Sequence, residues 1–136
     1  MIKKGIILAG GLGQRMSPIT KAVNKQLLPL YDKPLIFYPL SILMLANIKN
    51  ILIIVNKGQL NTFRKILPEK NNLGIKIQYA EQKKPRGLPE AFIIGRKFID
   101  KDNVALVLGD NFFYGQSLSK TLKLSTNLKK GAKILL

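Results

Sequence analysis

A glycine-rich turn near the start of the chain is the first place where the sequence predicts chemistry. Residues 10–15 read GGLGQR and directly follow the apolar run GIILA at 5–9. Glycines let backbone amides approach an anion closely, and the guanidinium of Arg15 can bind a phosphate through two hydrogen bonds. The turn therefore predicts a phosphate site, and a tight turn without any ligand is the structural alternative.

The same residues exclude two common phosphate motifs. A dinucleotide fingerprint that began at Gly11 would need a glycine where Met16 stands, and the second apolar run ends in Asn56 rather than in an acidic residue. A P-loop would need Gly-Lys-Ser or Gly-Lys-Thr after the first glycine, and this triplet is absent. We therefore expect neither a Rossmann dehydrogenase nor a Walker NTPase.

Two charged residues outside the turn are further candidates for phosphate chemistry. Lys25 lies in the segment 16–33, which contains Pro18 and Pro29 and is long for a connection between a strand and a helix. Long loops beside a ligand site are often functional. Asp110 follows the apolar run VALVL at 104–108 and is well placed to hold Mg²⁺ against phosphate oxygens. A solvated lysine and a turn-capping aspartate are the alternatives.

The composition restricts the chemistry further. The 136 residues include no Cys and no His, which excludes disulfides, zinc-thiolate sites, thiol nucleophiles and histidine proton shuttles. The net charge of +16 indicates a phosphate-rich partner. Because the basic residues are scattered in short pairs, we expect no specific nucleic-acid partner, although nucleic-acid binding stays open as an alternative. The apolar stretches are too short for a signal peptide or a membrane span, so we expect a cytoplasmic protein without membrane contact.

Short apolar runs that alternate with helical segments predict an α/β fold. Strands are expected at 5–9, 51–55, 75–80 and 104–108, and helices at 59–67, 87–98 and 118–128. A further helix would be capped by Asp32, would have Pro34 in its first turn and would end at Ala46, and a fifth strand would begin at 134–136. This order indicates a Rossmann-like, mostly parallel sheet with helices on both faces. Ligands bind such sheets at the edge where the strands end.

Several segments together resemble the sugar-phosphate nucleotidylyltransferases, and among them the members that use dTTP and glucose 1-phosphate. The matching segments are GGLGQR at 10–15, Pro18, Thr20, KQLLP at 25–29, YDKP at 31–34, YPLS at 38–41, MLA at 44–46, AFIIG at 91–95, LGDN at 108–111 and FYG at 113–115. The resemblance extends over residues 5–131. It implies a nucleotide-diphospho-sugar transferase fold, with residues 1–136 forming one truncated domain, the nucleotide-binding half.

The resemblance implies a Mg²⁺-dependent transfer of a thymidylyl group from dTTP to glucose 1-phosphate, which yields dTDP-glucose and pyrophosphate for the synthesis of deoxysugars such as rhamnose. It implies that Arg15 and Lys25 are catalytic and that Asp110 binds the metal. The residues that it implies for substrate binding are Gly10, Gly11, Gly13, Gln14, Arg15, Lys25, Gln26, Gln82, Gly87 and Leu88. Within this set, Gln82 would read the thymine edge. Phosphoryl transfer depends mainly on positioning and charge neutralisation, so the lack of histidine is no obstacle.

The chain also departs from the family pattern. Members of the family are longer, and their second half carries a second metal-binding carboxylate and most of the sugar pocket. We therefore expect a homo-oligomer or a complementing second chain as partner. The alternatives are a nucleotide-binding remnant or pseudoenzyme without turnover, and a preference for UTP over dTTP. Arg86 stands where an acidic or small residue is more usual, and Pro89 is expected in the first turn of a helix.

Overall fold

A computed structural model describes residues 1–135 and contains a four-stranded sheet whose strands are all parallel. Its strands are β1 (Lys4–Ala9), β4 (Asn50–Asn56), β5 (Lys76–Gln82) and β6 (Val104–Leu108), in the spatial order β5-β4-β1-β6. The short strands β2 (Pro29–Leu30) and β3 (Lys33–Pro34) form a separate antiparallel pair. The register places Ala9 beside Val55 and Leu8 beside Leu108, so the strands end at one common edge.

Six helices connect and cover the strands. They are α1 (Ile19–Ala22), α2 (Phe37–Leu45), α3 (Leu60–Ile66), α4 (Pro89–Ile94), α5 (Arg96–Ile99) and α6 (Leu118–Ser125), and short 3-10 helices occur at Gln14–Met16 and Lys25–Leu27. Side chains of a strand alternate between the two faces of its sheet. Ile53 accordingly packs in the larger core cluster with α2, α3 and α6, whereas Ile54 packs in the smaller cluster with α4 and α5. The prediction of helices on both faces is confirmed.

The helix predicted from an Asp32 cap is wrong in its first turn. Residues Lys33 and Pro34 belong to β3, which pairs with β2, and α2 begins only at Phe37. Pairing of Leu30 with Lys33 leaves a two-residue turn in which Tyr31 has a positive φ of 63°. Asp32 forms an ion pair with Lys33 at this turn instead of capping a helix.

Three other element boundaries differ from the predictions. The helix predicted at 87–98 is divided at Gly95 into α4 and α5, and a Cβ at this glycine would lie 2.9 Å from Ile6 Cδ1. Pro89 begins α4, as expected. Helix α6 ends at Ser125 instead of residue 128. Residues 134 and 135 form no strand, and residue 136 of the predicted fifth strand lies outside the described residues.

No helix within residues 1–135 combines the length and the apolar character that crossing a membrane requires.

Candidate functional site

The ends of the four parallel strands bring the glycine turn, a lysine and a carboxylate to one cleft. The cleft has a volume of about 450 Å³ and is lined by Gly10, Gly11, Leu12, Gly13, Gln14, Arg15, Met16, Lys25, Gln26, Pro85 and Asp110. It lies at the edge of the sheet where open α/β folds bind ligands. Seven of the predicted nucleotide-binding residues and the predicted metal ligand therefore meet in one place.

The conformation of the turn depends on its glycines and on two polar partners. Gly11 and Gly13 have φ values of 107° and 59°, in the left-handed region that glycine adopts without strain. The backbone N–H of Gly11 donates to Asn56 Oδ1 at 3.1 Å, and Asn56 Nδ2 donates to the Gly11 carbonyl at 2.8 Å. Thr20 Oγ1 donates to the Gly13 carbonyl at 2.7 Å. Asn56 was not predicted as a site residue, although a polar residue at the end of a buried strand is a signal for this edge.

Arg15 lies in the 3-10 helix Gln14–Met16 and is exposed to solvent at the cleft. Within residues 1–135 it forms no salt bridge, so its guanidinium is open to an anionic ligand. Gln14 beside it is exposed as well. Both side chains can therefore reach a phosphate held over the glycine turn.

Lys25 and Asp110 form an ion pair across the cleft. Lys25 Nζ lies 2.7 Å from Asp110 Oδ2, and the two side chains are 33% and 29% exposed. Lys25 begins the 3-10 helix that Asn24 caps by accepting from the backbone N–H of Gln26. Asp110 follows Gly109, where a Cβ would lie 2.9 Å from the Cα of Ala9. Glycine at 109 thus lets the carboxylate come close to the end of β1.

The donor set around Asp110 fits a magnesium ion that is shared with a nucleotide. Mg²⁺ is commonly bound through one or two carboxylates together with substrate phosphates. Asp110 supplies one carboxylate at the cleft, and no cluster of three or more metal-ligating side chains occurs in the described part of the chain. Asp110 would therefore hold the ion, and phosphate oxygens and water would complete its coordination.

Gln26 is a buried polar side chain at the floor of the cleft. It is 4% exposed, and its Nε2 donates to the Gly10 carbonyl at 3.2 Å. Its Oε1 accepts no hydrogen bond within the described protein. A buried acceptor without a donor is costly. Gln26 supports the Gly10 carbonyl from beneath the cleft.

Gln82 lies beneath the turn instead of on the wall of the cleft. It is 2% exposed, and its Nε2 donates to Glu90 Oε2 at 2.6 Å. Its Oε1 faces Gly10, where the absence of a Cβ leaves room for it. The same Glu90 oxygen accepts from the backbone N–H of Arg86 at 3.1 Å. Glu90 was not predicted from the sequence, since an acid in the first turn of a helix usually signals only helix stability.

Gly87 and Leu88 precede α4 and are exposed, and neither belongs to the lining of the cleft. Gly87 has a φ of 97°, which favours glycine at this position. The structure therefore brings together the turn, Lys25, Gln26 and Asp110, and it leaves Gln82, Gly87 and Leu88 beside this group.

A larger groove lies away from these residues. It has a volume of about 1080 Å³ and runs between the end of α2 and α6. Its wall includes Met1, Met44, Leu45 and Leu124 with Lys120 and Lys123, and none of the predicted site residues. The smaller cleft is the candidate functional site, because it combines backbone amides, cations and a carboxylate, whereas no carboxylate lines this groove within residues 1–135.

Comparisons with known proteins identify the family to which the chain belongs. The family described as Nucleotidyl transferase matches residues 4–136. The chain is 56% identical over 131 residues to the glucose-1-phosphate thymidylyltransferase of Neisseria meningitidis, covering 96% of this chain and 46% of the relative. It is 51% identical over 132 residues to the enzyme of that name from Xanthomonas campestris, with 97% and 45% covered.

Solved structures show the same fold. A crystal structure from Bacillus anthracis, described as a candidate glucose-1-phosphate thymidylyltransferase in complex with a sucrose, has a TM-score of 0.85 and 35% identity and covers 94% of this chain and 52% of its own. The apo structure of a UDP-glucose pyrophosphorylase has a TM-score of 0.76 and 27% identity, with 93% and 54% covered. The predicted nucleotide-diphospho-sugar transferase fold is confirmed.

The chain spans about half the length of the curated relatives that it matches. The match nevertheless includes every residue that lines the cleft, from the glycine turn to Asp110. With this coverage, the chain belongs to the nucleotidyl transferase family.

Proposed function

We propose that this chain forms the nucleotide-binding part of a Mg²⁺-dependent transfer of a thymidylyl group from dTTP to glucose 1-phosphate. The products are dTDP-glucose and pyrophosphate, and the reaction serves cytoplasmic synthesis of deoxysugars of the rhamnose type. The observation that carries the proposal is the cleft in which the glycine turn, Lys25 and Asp110 meet. The names of the relatives support the choice of both substrates.

The residues of the cleft have different roles, which depend on their charge. The glycine turn at Gly10, Gly11 and Gly13 has no side chains that would keep the triphosphate away, and Gln14 and Arg15 bind its oxygens from above the turn. Lys25 bridges phosphates of dTTP and glucose 1-phosphate, which brings the attacking oxygen toward the α-phosphorus. Asp110 would hold Mg²⁺, which when bound would neutralise charge on the phosphate oxygens. In-line phosphoryl transfer needs this positioning and neutralisation more than it needs a base.

The base and the sugar of the nucleotide are read beside the turn. Gln26 lines the nucleotide site from the floor of the cleft, where its Nε2 donates to the Gly10 carbonyl. Gln82 reads the thymine edge through Oε1, since its Nε2 is already engaged by Glu90. Gly87 and Leu88 form the wall of the base pocket, and the 47% exposure of Leu88 leaves apolar surface for the ring.

The working form includes a partner, either a second copy of this chain or a complementing chain. Asp110 is the lone carboxylate in the cleft lining, whereas the proposed reaction uses further metal and sugar ligands. The apolar side chains exposed in the groove between α2 and α6 suit a protein contact. Light scattering during gel filtration, with and without dTTP, measures the size of the assembly.

A thermal melt tests nucleotide binding directly. The chain is heated alone, with Mg²⁺ and dTTP, with Mg²⁺ and UTP, and with Mg²⁺ and ATP as the control. A ligand at about 100 times its Kd stabilises the folded state by about 2.7 kcal/mol, which raises the Tm by several degrees for a domain of this size. We expect the shift with dTTP and not with ATP.

A pyrophosphate-release assay with glucose 1-phosphate then tests turnover. Release that requires both substrates supports the transfer reaction. A dTTP-specific shift without release identifies a nucleotide-binding remnant, and equal shifts with dTTP and UTP contradict the thymine preference. The absence of any nucleotide shift contradicts the proposal as a whole.

A further inference from the structure

The side chain of Asn56 completes the sheet at the point where β1 leaves it. Strands β1 and β4 are paired as far as Ala9 and Val55, and on the other side of β4 the pairing continues to Asn56 and Gln82. Beyond Ala9 the main chain turns away, and the carboxamide of Asn56 bonds both the N–H and the carbonyl of Gly11. One side chain thus replaces the next pair of backbone hydrogen bonds.

This double contact fixes the direction of the turn. Gly11 has a φ of 107°, which is a conformation that a flexible turn would readily leave. Two hydrogen bonds to one residue restrain the peptide groups on both sides of its Cα. Because the Gly11 N–H already donates to Asn56 Oδ1, this amide is engaged by the protein and does not face a ligand.

The backbone N–H groups of the two residues after Gly11 differ from the Gly11 N–H in their hydrogen bonding. Within residues 1–135, the backbone N–H groups of Leu12 and Gly13 donate to no protein acceptor. Both residues line the cleft that also contains Arg15 and Lys25. Successive unpaired N–H groups in a turn form a concave site for an anion. The two hydrogen bonds between Asn56 and Gly11 therefore determine the orientation of the Leu12 and Gly13 N–H groups.

We propose that Asn56 is a positioning residue that holds the glycine turn so that the Leu12 and Gly13 amides face a nucleotide phosphate. The inference rests on the proposed function, because it assumes that the cleft binds a triphosphate. It assigns to Asn56 an effect on the phosphate portion of the nucleotide and no effect on the base.

The test compares Asn56→Ala and Asn56→Asp with the matched control Asn71→Ala. Asn71 makes the same kind of contact, because its Nδ2 donates to the Glu69 carbonyl and its Oδ1 accepts from the Leu73 N–H, in a loop away from the cleft. The affinities for dTTP and for thymidine, each with Mg²⁺, are measured by calorimetry on the full chain.

We expect Asn56→Ala to weaken dTTP binding about tenfold, the effect of losing two ordinary hydrogen bonds. Thymidine has no phosphate, so its affinity should change less than about twofold. Asn56→Asp should weaken the binding of dTTP further, because an ionised carboxylate cannot donate to the Gly11 carbonyl and repels phosphate. Asn71→Ala should leave the affinity ratio of dTTP to thymidine unchanged.

Hydrogen exchange without ligand separates this inference from the proposed function. Asn56→Ala should accelerate exchange of the Gly11 amide, and Asn71→Ala should not. If the wild-type chain binds neither dTTP nor thymidine, the proposed function is wrong, yet faster exchange at Gly11 still supports the positioning role. Unchanged exchange at Gly11, or equal weakening of dTTP and thymidine, overturns it. If Asn56→Ala does not fold, Asn56→Ser and Asn56→Asp provide the same comparison.

Discussion

The ammonium group of Lys25 lies 2.7 Å from the carboxylate of Asp110, although 85 positions separate the two residues in the chain. The contact arises because the segment after β1 and the end of β6 meet at one edge of the sheet. A lysine ammonium group binds phosphate oxygens and an aspartate carboxylate binds a metal ion, so the two side chains suit different parts of a metal-bound nucleotide. A phosphate on Lys25 and a cation on Asp110 would together replace the ion pair.

Replacing Lys25 or Arg15 by alanine should weaken triphosphate binding. Each change removes one charged hydrogen-bond donor, which is worth about 1.5–3 kcal/mol, so the Kd for dTTP should rise about tenfold or more. Isothermal calorimetry measures this. Lys129→Ala is the control, because Lys129 is equally cationic, exposed and absent from the cleft lining. Equal effects from all three variants would indicate only diffuse charge attraction.

Replacing Asp110 by asparagine should remove the magnesium dependence of dTTP binding. In the wild-type chain we expect EDTA to weaken the binding of dTTP, because it removes the ion that Asp110 and the phosphates would share. In Asp110→Asn the affinities with Mg²⁺ and with EDTA should be nearly equal. Asp102→Asn is the matched control, since Asp102 pairs with Lys4 outside the cleft. A magnesium response that persists in Asp110→Asn would argue against Asp110 as the ligand.

Replacing Glu90 by glutamine should lower the selectivity for the base. The Glu90 carboxylate only accepts hydrogen bonds, so it fixes which end of the Gln82 amide points toward Gly10. Glutamine can present either end, and we expect the preference for dTTP over ATP to fall about threefold to tenfold. Competition binding measures this preference.

Glu81→Gln is the control for Glu90→Gln. Glu81 also accepts from a backbone N–H, that of Gly58, whereas the Gln82 amide donates to Glu90. It should keep the base preference of the wild-type chain. A loss of the same size in both variants would mean that Glu90 affects folding in general and not the orientation of Gln82.

Stability at alkaline pH should depend on Tyr79. Burial raises the pKa of Tyr79 to about 12 from the ordinary 10.0, with the nearby Glu69 carboxylate adding to the effect. The folded state then holds the phenol proton more tightly than the unfolded chain does. The contribution of Tyr79 to stability is therefore fully present below pH 10 and is lost as the pH rises through 12.

Tyr79→Phe tests this pH dependence. Phenylalanine removes the titration together with the hydrogen bond to the Leu67 carbonyl, which is 2.6 Å long. At neutral pH the variant should be less stable by about 1 kcal/mol. Urea unfolding at a series of pH values should show this difference shrinking between pH 10 and pH 12. A constant difference over that range would contradict the raised pKa.

Much of the fold was predictable because short apolar runs are strong local signals. The runs at 5–9, 51–55 and 104–108 correspond to β1, β4 and β6. The region around Asp32 and Pro34 was misread, since both residues favour the start of a helix as well as a turn. The pairing of Leu30 with Lys33 decides between them, and so short a hairpin has no periodic signal in the sequence.

The candidate site was predictable where the type of a residue indicates its chemistry. The glycine turn, Lys25 and Asp110 are candidates from their residue types and positions, the family resemblance implies their roles, and the structure brings them together. The contacts of Asn56 with Gly11 and of Glu90 with Gln82 depend on strand order and on side-chain rotamers. Strand order and side-chain rotamers are not determined by the neighbouring residues in the sequence, so Asn56 and Glu90 were not predicted.

The order of the strands also has a consequence for how the chain behaves at high concentration. Strand β5 ends the sheet on one side with the charged Lys76 and Glu81, whereas β6 ends it on the other with VALVL, and within residues 1–135 no strand pairs with the outer side of β6. An apolar strand edge invites pairing between molecules, and a net charge of +16 opposes it. Salt screens this repulsion beyond about 8 Å at physiological ionic strength. Electrostatic repulsion between copies therefore takes the place of a protecting strand, and the onset of aggregation should move to lower protein concentration as salt is added.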